Sequence, residues 1–340
     1  MIETNIVLCY PAQQADIDKI QAAFPGGNVI ASEQTEIATN LMKADIFCGH
    51  AKVPVDWEAV VQQGRLKWIQ SSAAGLDHCL VEPVIKSDIP VSGCSALFAN
   101  QVAEQTLALL MGAVRKMPTF YRAQAAKQFD RLPTDDLHGK SVGIIGFGGN
   151  GRRIAETLNG IVSTISVTDT FPNHEIPNFV SSHPSDAMDD LFSSCDIIIV
   201  TLPLTEQTNK CIGKKQFSKL KPGSYFINVA RGSVVDQLAM IEALKNGQIG
   251  FAGLDVLDPE PPAKDDQLWE LENTIITPHV GAQSARRIPV TTELFCQNAD
   301  RFRNGQVLIN QVDKQLQYPR PEHRPSVDSN GRIILPKELV

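Results

Sequence analysis

Short apolar runs alternate with amphipathic stretches along most of the chain. Ile6-Val7-Leu8-Cys9-Tyr10 reads as a strand, Ala15 to Phe24 as a helix, and Pro25-Gly26-Gly27 as the breaker that ends the helix. The alternation continues through Ile46-Phe47-Cys48, the helical stretch Val55 to Gln63, and Leu66 to Gln70. Strands separated by helices predict a parallel sheet, because antiparallel neighbours need no helical crossover. A longer helical pattern from Asn100 to Tyr121, with Val102, Leu107, Leu110, Met111 and Val114 on its apolar face, predicts a connector between two domains. After Leu137-His138-Gly139-Lys140 a second series begins, with strands expected at Val142 to Ile145, Ile165 to Thr168, Ile197 to Val200, Tyr225 to Val229, Phe251 to Val256 and Thr274 to Ile276. A last helical pattern, Arg287 to Asn304, is placed to return the chain to the first domain. The tail from Val312 carries Pro319, Pro321 and Pro325 and is expected to be extended or partly mobile. The expected class is α/β, with two doubly wound parallel-sheet domains: a discontinuous one over 1–99 and 287–311, a second over 100–286, and an extension over 312–340.

Composition narrows what such a molecule does. A chain of 340 residues with 43% hydrophobic and 20% charged residues has globular proportions, which excludes a disordered or collagen-like chain. The formal net charge of −7 gives no general attraction for polyanions, so nucleic acid is not expected as a partner. Seven cysteines without a CxxC pair point to reduced thiols. The first ten residues lack a basic stretch with a cleavage site, and no apolar run approaches the roughly 18 residues of a membrane helix. A cytoplasmic protein that does not enter a membrane is expected.

The first chemical signal is Gly146-Phe147-Gly148-Gly149-Asn150-Gly151, directly after one expected strand and opening the helical pattern Arg153 to Leu158. In this G-x-G-x-x-G, the first glycine permits a tight turn, the second lets backbone approach a pyrophosphate, and the third allows close helix–strand contact. The helix N-terminus offers unpaired N–H groups to the anion. The next strand ends in Asp169, whose carboxylate suits the adenosine ribose hydroxyls and repels a 2′-phosphate. Thr170-Phe171-Pro172-Asn173 supply no arginine to receive one, so NAD is expected in preference to NADP. Arg152 and Arg153 are read as solvated residues of the first helical turn rather than ligands.

Three polar residues follow expected strands of the second series: Arg231, Glu260 and His279. A guanidinium holds a carboxylate through a bidentate fork, an imidazole exchanges a proton near neutral pH, and a carboxylate fixes the imidazole's tautomer and raises its pKa. Reduction of a 2-oxo acid needs all three. Here the sequence resembles the D-isomer-specific 2-hydroxyacid dehydrogenase family. The matching stretches are Ser72-Ala73-Ala74-Gly75-Leu76-Asp77, Val102-Ala103-Glu104, the glycine motif, Thr201-Leu202-Pro203-Leu204-Thr205, Asn228-Val229-Ala230-Arg231-Gly232, Gly253-Leu254-Asp255-Val256 and Thr277-Pro278-His279.

The resemblance implies a Rossmann NAD-binding domain beside a smaller, flavodoxin-like substrate domain. It implies Arg231 as substrate clamp, Glu260 as the partner of the histidine and His279 as acid/base. Backbone amides around Ala74 and Gly75 would bind the substrate carboxylate, and Asp255 the nicotinamide carboxamide. Leu202, Pro203 and Thr208 would line the adenine and phosphate side, and Val229 and Ala230 would lie near the nicotinamide. Gly149-Asn150 depart from the basic or polar residue and branched aliphatic that similar chains carry there, but pyrophosphate contacts at this turn use main-chain N–H groups.

Phosphoglycerate dehydrogenases of the family resemble one another in an arginine two places before Val-Ala-Glu, where this chain has Asn100. Small substrates such as glyoxylate, hydroxypyruvate or pyruvate are expected instead. Formate dehydrogenases carry glutamine where this chain has Glu260. A rival reading is an NADH-responsive binding scaffold, since co-repressors share the fold and the Arg-Glu-His set. The family also implies a homodimer around the long helix. The tail, Val327 to Leu339, looks like half of a swapped-hairpin DNA-binding module, which needs a partner half.

Overall fold

The computed structural model describes residues 4–328 and 332–340. The chain forms two compact units, Met1–Phe98 with Ser284–Val340, and Ala99–Gln283.

In the first unit, strands β1 (Thr4–Cys9), β2 (Gly27–Ala31), β3 (Ile46–Gly49), β4 (Trp68–Ser71) and β5 (Val91–Ser92) are joined by helices α1 (Gln14–Ala23), α2 (Ile37–Leu41), α3 (Trp57–Gln62) and α4 (Glu82–Lys86). They form a parallel sheet of order β2-β1-β3-β4-β5, the flavodoxin-like arrangement. Ile6, Val7, Leu8, Ile46 and Phe47 are fully buried, because the central strands of a sheet covered on both faces are shielded from solvent, whereas the edge strand β2 is mostly half-buried. The unforeseen strands are β2 and β5. Val91–Ser92 has only two residues, and Gly27–Ala31 follows directly on the breaker, so neither carries a readable period.

The second unit holds α5 (Ala99–Val114), α6 (Met117–Ala125), β6 (Ser141–Ile145), α7 (Gly149–Leu158), β7 (Thr164–Asp169), β8 (Val180–Pro184), α8 (Met188–Ser194), β9 (Ile197–Val200), α9 (Lys214–Phe217), β10 (Ser224–Asn228), α10 (Gln237–Lys245), β11 (Ile249–Leu254) and β12 (Thr274–Ile276). Its sheet order is β12-β11-β10-β9-β6-β7-β8, which reverses direction beside β6 as a dinucleotide-binding sheet does. Six of its strands match the expected runs. The seventh, β8, reads Val-Ser-Ser-His-Pro and sits at the sheet edge, where only one side needs a partner strand. The expected helix from Asn100 to Tyr121 is two helices. Lys116 adopts φ 52° between them, a left-handed conformation that ends α5, and Pro118 starts the first turn of α6.

Helix α11 (Arg287–Arg303) returns to the first unit. Phe295 and Phe302 stack on Trp68 at 5.0 and 5.3 Å, and the Asn298 amide donates to Gln70 Oε1 at 2.9 Å, a buried polar bond that fixes the helix against the sheet. The tail is not extended: Val312–Asp313 pairs with Tyr318–Pro319, and Ser326–Val327 pairs with Ile333–Ile334. Lys314 Nζ donates to the Val84 carbonyl at 2.8 Å, and Arg301 Nη1 donates to the Leu339 carbonyl at 3.0 Å. Of the tail motif, Ser329, Asn330 and Gly331 lie outside the described residues.

Candidate active site

Every candidate residue of the second unit stands at the carboxyl edge of its sheet, the edge where an open α/β sheet forms its ligand crevice. Gly146 follows β6, Asp169 ends β7, Leu202 and Pro203 follow β9, Val229 to Arg231 follow β10, Asp255 and Glu260 follow β11, and Thr277 to His279 follow β12.

The histidine loop is built from a buried carboxylate. Asp255 is 2% exposed, and its Oδ1 accepts from the Thr277 hydroxyl at 2.6 Å and the Val280 N–H at 3.0 Å. Its Oδ2 accepts from the Gly281 N–H at 2.8 Å, and its carbonyl accepts from the His279 N–H at 2.8 Å. Gln105 of α5 adds an amide donor to Thr277 Oγ1 at 2.9 Å. These bonds hold His279 at φ 53°, a conformation an L-residue keeps only where its surroundings dictate it. The imidazole Nδ1 then meets Glu260 Oε2 at 2.9 Å, while Glu260 Oε1 accepts from the Leu257 N–H at 3.0 Å. Burial alone would raise the Glu260 pKa. The His279 hydrogen bond, the Leu257 N–H and the charges of His279 and Arg231 outweigh it and hold the carboxyl below its ordinary value. A carboxylate on Nδ1 leaves Nε2 as the ring nitrogen that can exchange a proton with a reacting oxygen.

Arg231 enters from the neighbouring strand. Asn228 is its anchor: the side-chain oxygen accepts from the Ala230 N–H at 3.0 Å and the amide donates to the Arg231 carbonyl at 3.1 Å. A Cβ on the next residue, Gly232, would stand 1.9 Å from the Leu257 carbonyl oxygen. Only glycine lets the arginine loop approach the loop that carries Glu260 so closely. The guanidinium Nη1 donates to the Ala230 carbonyl at 2.8 Å, and its charge reaches Glu260. Arg231, Glu260 and His279 thus occupy three adjacent loops, over β10, β11 and β12.

The glycine turn after β6 fits a dinucleotide. Gly146 has φ +95°, its carbonyl accepts from Thr201 Oγ1 at 2.6 Å, and a Cβ on Gly151 would lie 2.3 Å from that carbonyl. Gly148 precedes α7 without a side-chain cap, so the N–H groups of the first turn, including Gly149 and Asn150, suit an anion. Asp169 Oδ2 accepts from the Phe147 N–H at 2.7 Å and Oδ1 from the Phe171 N–H at 2.8 Å, which ties the turn to the end of β7. Leu202 packs at the turn, 3.3 Å from the position of a Cβ on Gly146. Thr208 braces the segment after β9, donating to the Pro203 carbonyl at 2.6 Å and accepting from the Thr205 N–H at 2.8 Å. Val229 and Ala230 are 9% and 6% exposed in the loop after β10.

Ala74 and Gly75 belong to the first unit, in the loop after β4, where Ala74 is exposed. The loop is pinned by the Cys94 N–H, which donates to the Ala73 carbonyl at 2.9 Å, and by the Ala73 N–H, which donates to Ser71 Oγ at 3.1 Å. The bracing roles of Asn228, Thr277 and Gln105 and the close approach at Gly232 have no signal of their own in the sequence. Asn228 and Thr277 lie inside motifs, yet a motif does not say which side chain touches substrate and which holds the backbone.

Arg152 is half-buried and hydrogen-bonded to the protein, not simply solvated as its place in a first helical turn suggests. Its guanidinium lies 4.7 Å from the Phe147 ring centre, with Nη1 donating to the Glu175 carbonyl at 2.8 Å and Nη2 to the His174 carbonyl at 2.6 Å. Helix α7 aims the side chain at the loop after β7, whose two carbonyls need donors.

Residues 107–281, half of the chain, match the family described as "D-isomer specific 2-hydroxyacid dehydrogenase, NAD binding domain". A glyoxylate reductase of Thermococcus gammatolerans is 30% identical over 271 residues, covering 77% of this chain and 80% of that one. A D-3-phosphoglycerate dehydrogenase of Archaeoglobus fulgidus is 31% identical over 251 residues, covering 73% of this chain but 47% of that one. The crystal structure of a D-isomer specific 2-hydroxyacid dehydrogenase from Xanthobacter autotrophicus, in complex with NADPH and MES, has a TM-score of 0.78 at 26% identity, over 93% of this chain and all of the other.

Proposed function

The chain belongs to the D-isomer-specific 2-hydroxyacid dehydrogenase family of oxidoreductases, and on that premise we propose that it reduces a small 2-oxo acid such as glyoxylate, hydroxypyruvate or pyruvate to the D-2-hydroxy acid with NADH. The observation that carries the reading is the 2.9 Å bond between His279 Nδ1 and Glu260, beside Arg231 on the adjacent loop. When bound, the nicotinamide supplies the hydride in reduction and accepts it in oxidation. Arg231 holds the 2-oxo acid and stabilises the negative charge that develops on its carbonyl oxygen. His279 delivers a proton from Nε2 to that oxygen, and Glu260 keeps the ring oriented and balances its positive charge. In oxidation the neutral ring takes the hydroxyl proton. Backbone amides of Ala74 and Gly75 are proposed to receive the substrate carboxylate. Leu202, Pro203, Thr208, Val229, Ala230 and Asp255 are proposed as cofactor neighbours, around the main-chain cradle of Gly146, Gly148, Gly149, Asn150 and Gly151.

The Asp169 carboxylate supports NAD over NADP, because a 2′-phosphate beside it would meet a negative charge. The glyoxylate reductase relative supports a small substrate, as does Asn100 in the position of a phosphate-binding arginine. We also propose a cytoplasmic homodimer. No helix among the described residues is long and apolar enough to cross a membrane.

The test is steady-state turnover of glyoxylate, hydroxypyruvate, pyruvate and 3-phosphohydroxypyruvate with NADH and with NADPH, followed by His279→Gln and Arg231→Ala. Each variant is expected to lose about 100-fold or more in kcat while NADH binding, read by fluorescence, stays near wild type. Unimpaired turnover by both variants sinks the assignment. NADH binding with no turnover of any 2-oxo acid by the native chain favours the scaffold reading, and preference for the phosphorylated acid favours a phosphoglycerate dehydrogenase.

A further inference from the structure

We propose that Arg152 is a ready-made ligand for an adenosine 2′-phosphate and that Asp169 alone keeps it from being used, so that cofactor choice turns on the charge balance between these two side chains. The inference rests on the reading of the glycine turn and Asp169 as the adenosine end of a dinucleotide site.

Phe147, the second residue of the glycine motif, is the pivot. Its N–H donates to Asp169 Oδ2 at 2.7 Å, and its ring lies under the Arg152 guanidinium at 4.7 Å. The carboxylate and the guanidinium are therefore held on the same short turn. Asp169 is fixed a second time by the Phe171 N–H at 2.8 Å. Arg152 is fixed by the Glu175 and His174 carbonyls at 2.8 and 2.6 Å, which take one donor each from Nη1 and Nη2. A guanidinium has five N–H donors, so this clamp, which takes one each from Nη1 and Nη2, sets the plane of the group and leaves three donors that these carbonyls do not use.

Burial draws the Arg152 pKa down while the charges of Asp169, Glu175 and Glu156 draw it up, so the guanidinium feels Asp169 directly. Glu156 is itself paired with Arg153 at 2.7 Å, and the Glu175 side chain is exposed, which leaves Asp169 as the anchored anion of the three. A phosphate on the ribose 2′ oxygen would be repelled by Asp169 and attracted by Arg152. With the carboxylate present the repulsion prevails, because its oxygens are held by backbone donors and cannot turn away. With it neutralised, the attraction remains on a clamped, partly desolvated guanidinium. The signal that excludes NADP is therefore a carboxylate that is present rather than an arginine that is missing.

The experiment uses 5′-ADP and adenosine 2′,5′-bisphosphate as probes, with dissociation constants from calorimetry on the full chain. The native protein is expected to prefer 5′-ADP. Asp169→Ser and Asp169→Asn are each expected to tighten the bisphosphate by about tenfold or more, and adding Arg152→Ala to either is expected to remove that gain. A gain that survives Arg152→Ala overturns the proposal. Because Asp169 also holds the Phe147 N–H, Arg152→Ala is measured in the native background too. There, where Asp169 keeps the guanidinium out of use, it is expected to leave the ratio of the two dissociation constants within about twofold of native, and a tenfold selective loss of the bisphosphate overturns the proposal. Failure of the underlying NAD reading appears separately, as native protein that prefers the bisphosphate.

Discussion

Single side chains in the proposed site divide into those assigned to the reactants and those that aim them. Glu260 is proposed to do some of both. Its lowered pKa means that its contribution to the folded state is present above the ordinary glutamate value of about 4.3 and is lost only as pH falls through the lower folded value. The Glu260–His279 pair is thus expected to persist through the whole neutral range. Glu260→Gln keeps the shape and the Leu257 bond but removes the counter-charge, and kcat for reduction is expected to fall about 10- to 100-fold at pH 7. Wild-type kcat in that variant would remove Glu260 from the mechanism. Asp255 acts on the backbone. Replacing it with alanine strands the Thr277 hydroxyl and the Val280 and Gly281 N–H groups, and is expected to cost about 2–4 kcal/mol of unfolding free energy together with activity. Chemical denaturation reads the first effect and turnover the second. At this scale the sequence was most informative about types: arginine, glutamate and histidine were legible as chemistry, whereas the bracing by Thr277 and Gln105 was not, because a hydrogen bond between distant residues leaves no local pattern; Asn228 braces residues only two and three places on, but its motif does not say that its side chain holds backbone.

Elements decide how near these groups come. The loops over β10 and β11 touch at Gly232, where a methyl group would meet the Leu257 carbonyl at 1.9 Å. Gly232→Ala is expected to push the arginine loop from the Glu260 loop, lowering stability by about 1–3 kcal/mol and reducing turnover more than it reduces cofactor binding. Comparison of kcat with the NADH dissociation constant checks this, and equal losses in both would contradict it.

The opposite, amino-terminal edge of the same sheet is tied by Asp196, which accepts from the Ser141 N–H at 2.9 Å and pairs with Lys221 at 2.8 Å. Burial alone would raise its pKa, but Lys221 and Ser141 lower it to about 2. Its stabilisation is present above pH 4 and lost as pH falls toward that value, so Asp196→Asn is expected to destabilise at pH 7 by about 1 kcal/mol after solvent screening. The difference from wild type is expected to shrink between pH 4 and pH 2, and one constant across that range would refute the pairing. The helical period continues through Lys116, so of the break there the sequence shows only Pro118 in the first turn of α6; the left-handed φ that ends α5 is visible only in the structure.

For the whole molecule, the proposed homodimer has a surface candidate in the second unit. Met111, Tyr121, Phe129 and Leu132 are 38, 61, 91 and 43% exposed on or just after the two helices that follow Phe98. Exposed apolar side chains on neighbouring stretches are candidates for burial against a second copy. Light scattering is expected to give twice the chain mass, and Tyr121→Ser with Phe129→Ser is expected to shift the protein toward monomer; a monomeric native protein ends the proposal. The amino-acid sequence by itself determined the α/β class, the order of most strands, the glycine turn with its carboxylate, and the residue types of the site. These come from hydrophobic period and from the chemistry of single residues, both of which are local. Only the tertiary structure decided that Glu260 bonds Nδ1 of His279, that Asp255 holds the histidine loop, that the His174 and Glu175 carbonyls clamp Arg152, and that the proline-containing tail folds back onto the first unit. Each of those depends on the distance between residues far apart in the chain, which sheet order and loop approach set and no stretch of sequence contains.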